Sequence, residues 1–350
     1  MQAIRVHPAP PSATPYSPTN PAPTTALHND TIPIPTPTAP NQLLIHIKAT
    51  TIIRDMLTWP ETYSQPYAIP GHDFSGTVAS VSPGSTTTLK PGTAVFGMTS
   101  SERASTWASY ALVTTDEVAL KPAGLGWEEA AALPLSAQTA YEALFVHAGL
   151  PPPLSGGRAQ SEPQRQQEQD YQQARQLEQR VLVTGAAGGV GIFLVQLAAR
   201  AGMHVVAASG SVARNGAFLK ELGAEEVVEY ADLEGGHEDR FDVVVDSVGG
   251  EVLERCWGVV KEGGVLVSVD SASFDFVEVH AKRGLRRDGV KALFFIVEGS
   301  AEVLRALSEL TARGELRSFV AASFGIDRVK DAYDYANGRF DGRGKVVLTI

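Results

Sequence analysis

The chain has 350 residues and a mass of 37.2 kDa, which is long enough for two domains, each with its own hydrophobic core. Its 29 basic and 39 acidic residues give a formal charge of -10, which disfavours nucleic acid as the main partner. No stretch approaches the roughly 20 apolar residues of a membrane span, so no membrane partner is expected. The single cysteine, Cys256, excludes an internal disulfide and is typical of a cytoplasmic protein.

The first third of the chain is predicted to form a β-rich unit. The opening MQAIRVHP indicates a strand and lacks the apolar core of a secretory signal. Eleven of the 22 prolines lie in residues 8–40, so this segment is expected to be a surface loop with one or two short edge strands. Alternation in residues 42–51 predicts a half-buried strand with Leu43, Ile45 and Ile47 on one face. Short β-rich segments bounded by Pro and Gly follow.

The pattern changes near Trp127, where Ala, Leu and Glu predict helices with a break at Pro134. Residues 151–180 contain nine glutamines and few apolar side chains, and therefore predict a solvated insertion, with a partner-binding segment as the alternative. From Arg180 onward, apolar strands alternate with helices, which indicates a parallel sheet covered on both faces. The sequence thus predicts an α/β protein in which a doubly wound, nucleotide-binding type of domain follows the β-rich unit.

The segment VLVTGAAGGVGIFLVQLAARAG, residues 181–202, is predicted to form a strand, a glycine turn and a helix. Gly188, Gly189 and Gly191 would let the backbone approach a pyrophosphate at the N-terminus of a helix that begins near Val190. The cofactor contacts predicted in this turn are Gly188, Gly189 and Val190. Ala186 stands where the GxGxxG fingerprint has glycine, so the prediction depends on the flanking strand and helix. A glycine turn that binds nothing is the alternative.

The end of the second predicted strand of the nucleotide-binding domain, HVVAAS at residues 204–209, indicates which cofactor binds. Sites that prefer NAD place an acidic residue there, about 20 residues after the glycines. No acidic residue lies between Met203 and Lys220, whereas Ser209, Ser211 and Arg214 offer hydroxyl groups and a guanidinium suited to a 2′-phosphate. This pattern predicts NADPH rather than NADH, and the alternative for Arg214 is a solvated charge at the start of a helix.

Several motifs in order resemble the zinc-independent quinone oxidoreductase branch of the medium-chain dehydrogenase/reductase superfamily, which includes zeta-crystallin and the enoyl thioester reductases. The motifs are PGHDFSGTVASVSPG, LPLSAQTAYEAL, VLVTGAAGGVG, FDVVVDSVGG and GKVVLTI. The resemblance implies a GroES-like catalytic domain formed by residues 1–135 and 300–350. It further implies a Rossmann NADPH-binding domain formed by residues 136–299, with the active site in the cleft where the two domains meet.

The resemblance also implies cofactor contacts and an oligomer. It places Thr139 beside the nicotinamide and Tyr230 on the adenosine side. The further cofactor neighbours that it implies are Val248, Phe294, Phe295 and Lys345, with the two phenylalanines also expected to be partly core. The family forms dimers through the cofactor domain, so the strand KALFFIV, residues 291–297, is expected to join two copies in a homodimer. An ordinary buried strand is the alternative.

No metal ion is expected at the active site. His72 stands where zinc-dependent members have a histidine ligand, but the positions of their cysteine ligands are not cysteine here. Without zinc, hydride addition leaves an enolate or a phenolate that needs a proton, from a protein donor or, for a quinone, without an acid of the enzyme. Tyr63 stands where the enoyl thioester reductases have the proposed donor, although Glu61 replaces the glycine of their GxY turn. The alternative role for Tyr63 is as a wall residue of an apolar pocket with Trp59 and Tyr67.

Together, these features predict an NADPH-dependent reductase that transfers a hydride to a quinone or to a small, apolar conjugated carbonyl compound. One alternative is a trans-acting enoyl reductase of a polyketide pathway, which would share the fold and the cofactor. The other is a catalytically silent NADPH-binding protein, which would bind the cofactor without consuming it.

Overall fold

The computed structural model describes residues 1–153, 179–234, 240–338 and 340–350 of the chain. These residues form two compact units. Unit 1 consists of Met1–Gln138 and Val297–Ile350, and unit 2 consists of Thr139–Ile296. The predicted domain borders lie close to this division, while most of the predicted insertion, residues 154–178, lies outside the described residues.

Unit 1 is built on β-sheets. Its strands, numbered in chain order through both units, are β1 (Gln2–Val6), β2 (Leu27–Thr31), β3 (Gln42–Ile52), β4 (Asp73–Val81), β5 (Ala94–Met98), β6 (Tyr110–Thr114), β7 (Val118–Leu120), β14 (Val320–Gly325) and β15 (Lys345–Thr349). The main sheet has the order β14-β15-β3-β4-β5-β7, with β6 also paired to β3. β1 and β2 form a separate antiparallel pair, which places one short strand inside the proline-rich segment.

The long strand β3 shows why this unit folds as predicted. Leu43, Ile45 and Ile47 are fully buried in a core cluster with residues of β4, β5 and β6. His46 and Lys48, on the opposite face, are only partly buried. Alternation of apolar and polar side chains therefore fixes which face of the strand meets the core.

Among the described residues, four α-helices accompany these strands, and a break at Pro134 separates the first two as expected. They are α1 (Trp127–Ala131), α2 (Pro134–Tyr141), α7 (Ala301–Ala312) and α8 (Val329–Asn337). The buried side of α8 packs in a second core cluster with β1, β15 and the aromatic side chain of Trp107.

The described residues of unit 2 contain a parallel sheet of six strands. Its strands are β8 (Arg180–Val183), β9 (His204–Ser209), β10 (Glu226–Glu229), β11 (Phe241–Asp246), β12 (Val260–Ser268) and β13 (Lys291–Phe294). The helices that accompany the sheet are α3 (Gly191–Arg200), α4 (Val212–Glu221), α5 (Gly250–Cys256) and α6 (Phe276–Lys282). The strands lie in the order β10-β9-β8-β11-β12-β13. From β8 the chain first adds strands on one side of the sheet and then, from β11 onward, on the other side. Doubly wound sheets bind their ligands at this switch point between β8 and β11.

The strands of unit 2 are buried on both faces, as their continuous apolar sequences predict. Val181, Leu182 and Val183 of β8 are all fully buried, and so are Val244 and Val245 of β11. The α/β class and the doubly wound sheet are therefore confirmed. Within the described residues, no helix is both long enough and apolar enough to cross a membrane.

Candidate cofactor and active site

Two glycines close the turn between β8 and α3. Gly185 has a φ of 61°, and a Cβ atom there would lie 2.3 Å from Ser247 Oγ. A Cβ atom on Gly191 would lie 2.1 Å from the carbonyl oxygen of Gly185, so only glycine lets α3 begin this close to β8. The backbone N–H of Gly188 donates to the same carbonyl at 2.8 Å. The turn is therefore a close-packed backbone cradle.

The cradle has the features of a phosphate site. The predicted contacts Gly188, Gly189 and Val190 lie directly before Gly191, the first residue of the ten-residue helix α3. The N-terminus of a helix presents backbone N–H groups and the positive end of the helix dipole, both of which stabilise a pyrophosphate. Because a Cβ atom at Gly185 or Gly191 would clash with the protein, only glycine allows the close backbone packing that a dinucleotide-binding turn has, and the residues fit such a cofactor.

Tyr230 lies over the same edge of the sheet, directly after β10. A Cβ atom on Gly210 would lie 3.8 Å from the ring of Tyr230. The hydroxyl group of Tyr230 hydrogen-bonds to the backbone of Gly185. Burial raises the pKa of the Tyr230 hydroxyl, and the hydrogen bond from Gly185 acts in the opposite direction. The neutral ring thus links the ends of β8, β9 and β10, where an adenosine-side contact is expected.

The three predicted 2′-phosphate contacts lie together at the start of α4. Ser209, the last residue of β9, accepts a hydrogen bond at its Oγ from Asn215 Nδ2 at 2.8 Å. Ser211 caps α4, with its Oγ accepting from the backbone N–H of Arg214 at 3.3 Å. Arg214 is exposed in the first turn of this helix. The structure therefore brings two serines and an arginine to one helix terminus.

Sequence reasoning missed one carboxylate at this terminus. Glu229 Oε1 accepts a hydrogen bond from the backbone N–H of Val212 at 2.9 Å. Glu229 ends β10 and pairs with Ser209 of β9. It was missed because the fingerprint places the expected acidic residue on β9 itself. The adjacency of β9 and β10 in a doubly wound sheet was the signal that could have revealed it.

Asp246, at the end of β11, organises the edge of the sheet at the switch point. Its carboxylate accepts from Thr184 Oγ1 at 2.5 Å and from the backbone N–H of Gly249 at 2.9 Å. Burial raises the pKa of Asp246. Val248, two residues on, is 37% exposed, and its Cγ2 would lie 3.1 Å from a Cβ atom on Gly185. The network thus holds Val248 beside the glycine turn, consistent with its predicted place near the cofactor.

The remaining predicted contacts of unit 2 are more deeply packed. Thr139, in α2, is only 6% exposed. Phe294 ends β13 opposite Ser268 and packs against the core of unit 2. The ring of Phe295 lies against His147, with 4.1 Å between their centroids. Both phenylalanines therefore have the packing contacts expected of partly core side chains, and contact with a cofactor stays a prediction for all three predicted residues.

Unit 1 contains a buried group that we call the His72 cluster, which consists of His72, Glu61 and Trp59. His72 Nε2 lies 3.1 Å from Glu61 Oε1, and these side chains are 1% and 11% exposed. The rings of Trp59 and His72 lie 5.6 Å apart, centroid to centroid. Within the described residues, neither His72 Nδ1 nor Trp59 Nε1 has a hydrogen-bond partner. The cluster therefore holds two buried ring nitrogens whose hydrogen-bonding capacity is unused.

Tyr63, the predicted proton donor, is tied to the backbone. Its hydroxyl group donates to the carbonyl of Leu57 and accepts from the N–H of Ala22 at 2.8 Å. Burial raises the pKa of Tyr63. This geometry favours the alternative role of a wall residue, and Tyr63 packs against the same core cluster as Trp59. The ring of Tyr67 contacts Arg5 and His7, and its place in that wall stays a prediction.

Lys345, predicted as a cofactor neighbour, has a buried partner inside unit 1. Its Nζ lies 3.4 Å from Asp73 Oδ2, with the two side chains 6% and 0% exposed. Asp73 also accepts from Thr51 Oγ1 at 2.6 Å and from the backbone N–H of Leu135 at 2.7 Å. The pair therefore ties β3, β4 and β15 to the start of α2. A contact of Lys345 with the cofactor stays a prediction.

Comparison with known proteins assigns a family to this architecture. The description "Alcohol dehydrogenase GroES-like domain" matches residues 39–131, and "Zinc-binding dehydrogenase" matches residues 222–348. The "Probable zinc-binding oxidoreductase, mitochondrial" of Arthroderma benhamiae is 32% identical over 340 residues, which cover 94% of each chain. The chain belongs to the medium-chain dehydrogenase/reductase superfamily.

Two further comparisons extend this resemblance. The "NADPH-dependent alkenal/one oxidoreductase, chloroplastic" of Arabidopsis thaliana is 28% identical over 294 residues, covering 80% of this chain and 63% of the relative. The fold is shared with the quinone oxidoreductase from Coxiella burnetii at a TM-score of 0.79 and 24% identity, over 100% and 99% of the two chains. The predicted quinone oxidoreductase-like branch is confirmed, and so is the combination of a GroES-like unit with a Rossmann unit. The protein is thus an oxidoreductase of the medium-chain family.

The family description includes zinc, but the residues around His72 do not fit a zinc site. Zinc in proteins takes three or four nitrogen, sulfur or carboxylate ligands at about 2.0–2.3 Å. His72 has one carboxylate neighbour, Glu61, while Cys256 belongs to α5 of unit 2. In the described part of the chain, no group of three or more His, Cys, Asp or Glu side chains could hold a metal ion. This set of donors is too small for zinc.

Proposed function

We propose that the protein is an NADPH-dependent reductase that transfers a hydride, without zinc, to a quinone or to an α,β-unsaturated carbonyl compound. The turn formed by Gly185 and Gly191 carries this proposal, because these glycines let the backbone pack tightly where α3 begins, and the N-terminus of such a helix can bind a pyrophosphate. The group Ser209, Ser211 and Arg214 supports NADPH as the cofactor. The relative from Arabidopsis thaliana is named an NADPH-dependent alkenal/one oxidoreductase, and this name supports the proposed substrate class.

NADPH, when bound, supplies the hydride, and the residues of the chain bind and orient the reactants. The glycine turn would hold the pyrophosphate, Tyr230 the adenosine side, and Thr139 and Val248 the nicotinamide side. Hydride addition to the β-carbon of an enone leaves an enolate, and addition to a quinone leaves a phenolate. The enolate is the stronger base, so enone reduction depends more on a protein proton donor than quinone reduction does.

Two groups of unit 1 compete for the role of proton donor. The hydroxyl group of Tyr63 is held by two backbone groups, whereas His72 Nδ1 has no partner within the described residues. With Glu61 at Nε2, Nδ1 is the ring nitrogen of His72 that could act on a bound substrate. The geometry therefore favours His72 over Tyr63.

His72→Asn is expected to lower kcat for enones by about 100-fold, because a positioned acid contributes at least that much to such a step. The same substitution should change quinone reduction by less than about threefold, since a phenolate is readily protonated by water. Steady-state rates with one enone and one quinone, together with the Kd of NADPH, test this expectation. Tyr63→Phe is the comparison: a large and selective loss of enone reduction in that variant, with His72→Asn unaffected, would assign the proton donor to Tyr63.

Arg214→Ala is expected to weaken NADPH binding by about 10- to 100-fold and NADH binding by less than twofold, because the guanidinium would contact only the 2′-phosphate. Fluorescence titration of both cofactors measures the two affinities. Lys220→Ala removes an exposed cation from the same helix and is the matched control, expected to change neither affinity. An equal loss for NADPH and NADH in Arg214→Ala would refute the assignment of the 2′-phosphate site.

A homodimer formed through residues 291–297 is also proposed. Within the described sheet of unit 2, β13 is an outer strand, so one row of its backbone groups is unpaired by the sheet. Ile296 and Val146, 62% and 61% exposed, provide apolar surface in the same unit.

A cytoplasmic location remains a proposal that depends on the lone, buried Cys256.

A further inference from the structure

The end of β10 brings a carboxylate to the place where the proposed NADPH site needs positive charge. β9 and β10 are parallel neighbours, and Glu229 pairs with Ser209 in their register. Glu229 is exposed, and its Oε1 reaches the backbone N–H of Val212, the first residue of α4, at 2.9 Å. A side chain of the protein thus already places a negative charge at the N-terminus of α4.

The N–H groups and hydroxyl groups at this terminus are largely used by the protein itself. Glu229 accepts from Val212, Ser211 accepts from Arg214, and Ser209 accepts from Asn215. A 2′-phosphate held by Ser209, Ser211 and Arg214 would therefore approach the Glu229 carboxylate closely. Like charges a few ångströms apart near a protein surface lower affinity by about tenfold or more.

The backbone of Glu229 is held in place, so relief must come from its side chain. The N–H of Glu229 donates to Asp232 Oδ2 at 2.9 Å in a reciprocal cap of the following turn. The next residue, Tyr230, is fixed by its packing at Gly210 and its hydrogen bond to Gly185. When a phosphate binds, the carboxylate of Glu229 must therefore either rotate away or stay in place and repel the phosphate.

We propose that Glu229 is a cofactor-specificity residue whose carboxylate occupies the anion position at the start of α4 and opposes the 2′-phosphate of NADPH. It therefore makes the preference for NADPH over NADH smaller than Ser209, Ser211 and Arg214 alone would give. This inference rests on the proposed function, because it assumes that the adenosine end of the cofactor binds at β9 and β10.

The test uses the full chain and two probes that carry only the adenosine end of the cofactor, 2′,5′-ADP and 5′-AMP. Calorimetric titration gives the Kd of each probe for the wild type and for Glu229→Gln. The glutamine can still accept from Val212, so the cap is kept while the charge is removed. Glu225→Gln, which makes the same charge change just before β10, is the matched control.

We expect Glu229→Gln to bind 2′,5′-ADP about tenfold more tightly than the wild type, with the Kd of 5′-AMP changed by less than twofold. Glu225→Gln should leave both values within about twofold of the wild type. An unchanged Kd of 2′,5′-ADP in Glu229→Gln overturns the inference. A weaker 5′-AMP complex in that variant also overturns it, because Glu229 would then be a ligand of the ribose hydroxyl groups.

The same titration separates this inference from the proposed function. A wild type that binds 2′,5′-ADP, together with a Glu229→Gln variant of equal affinity, contradicts only the role of Glu229. A wild type that binds neither probe at millimolar concentration contradicts the cofactor site on which both proposals depend.

Discussion

Gly191→Ala is expected to weaken NADPH binding by about 100-fold or more and to lower the melting temperature. The added Cβ atom would lie 2.1 Å from the carbonyl oxygen of Gly185 and 2.6 Å from Ala186 Cα. Both obstacles are backbone atoms of the glycine turn, so they cannot move aside as a flexible side chain can. The turn or the start of α3 must shift, and the phosphate cradle is lost with it. Fluorescence titration with NADPH and thermal unfolding measure the two effects.

Gly258→Ala is the matched control for this substitution. A Cβ atom on Gly258 would lie 3.5 Å from the carbonyl oxygen of Arg255, which is an ordinary contact. This variant should bind NADPH with the affinity of the wild type. If Gly191→Ala also bound NADPH normally, the glycine turn would be architecture alone and the proposed cofactor site would be wrong.

Lys345→Met is expected to destabilise unit 1 by about 3 kcal/mol, because it leaves the carboxylate of Asp73 buried without its cation. Asp73 is 0% exposed, and the hydrogen bonds from Thr51 and Leu135 compensate only part of the lost charge interaction. Urea unfolding followed by tryptophan fluorescence measures the change. Three of the four tryptophans, Trp59, Trp107 and Trp127, belong to unit 1, so the signal reports mainly on that unit.

Two variants control for this effect. Lys330→Met removes an exposed cation of α8 and should change the free energy of unfolding by less than about 0.5 kcal/mol. The double variant Asp73→Asn with Lys345→Met removes both charges and should regain part of the stability that Lys345→Met loses. A single Lys345→Met variant as stable as the wild type would show that Asp73 needs no buried cation.

The sequence was sufficient for the elements whose pattern is local. The continuous apolar runs before Gly185 and before Ser247 become β8 and β11, and the alternation in residues 42–51 becomes β3. Each depends on residues within one strand, so periodicity alone predicts it. The stretch 154–178 lies outside the described residues, and its prediction as a solvated insertion stays untested.

The candidate site was only partly predictable because much of it depends on contacts between distant segments. The Gly188 to Gly191 stretch was found from its spacing, but the left-handed Gly185 becomes necessary only once Ser247 packs beside it. Glu229 reaches α4 through strand pairing. Likewise, the partner of Lys345 is a residue of β4 far away in the sequence. The resemblance assigned roles to single residues such as Tyr63 and Lys345, but their hydrogen-bond and ion-pair partners depend on the folded chain.

The proposed activity is the transfer of a hydride from NADPH to an activated alkene or quinone without zinc. Its most direct test is the rate of NADPH oxidation by protein pretreated with a chelator, with 9,10-phenanthrenequinone and a set of enones as acceptors. We predict consumption of NADPH with at least one acceptor, faster than with NADH, and an unchanged rate when zinc is added back. NADPH that binds but is never consumed would contradict the proposed activity and indicate a silent cofactor-binding protein. A rate restored only by zinc would show that the residues of the chain do not perform the reaction without the metal.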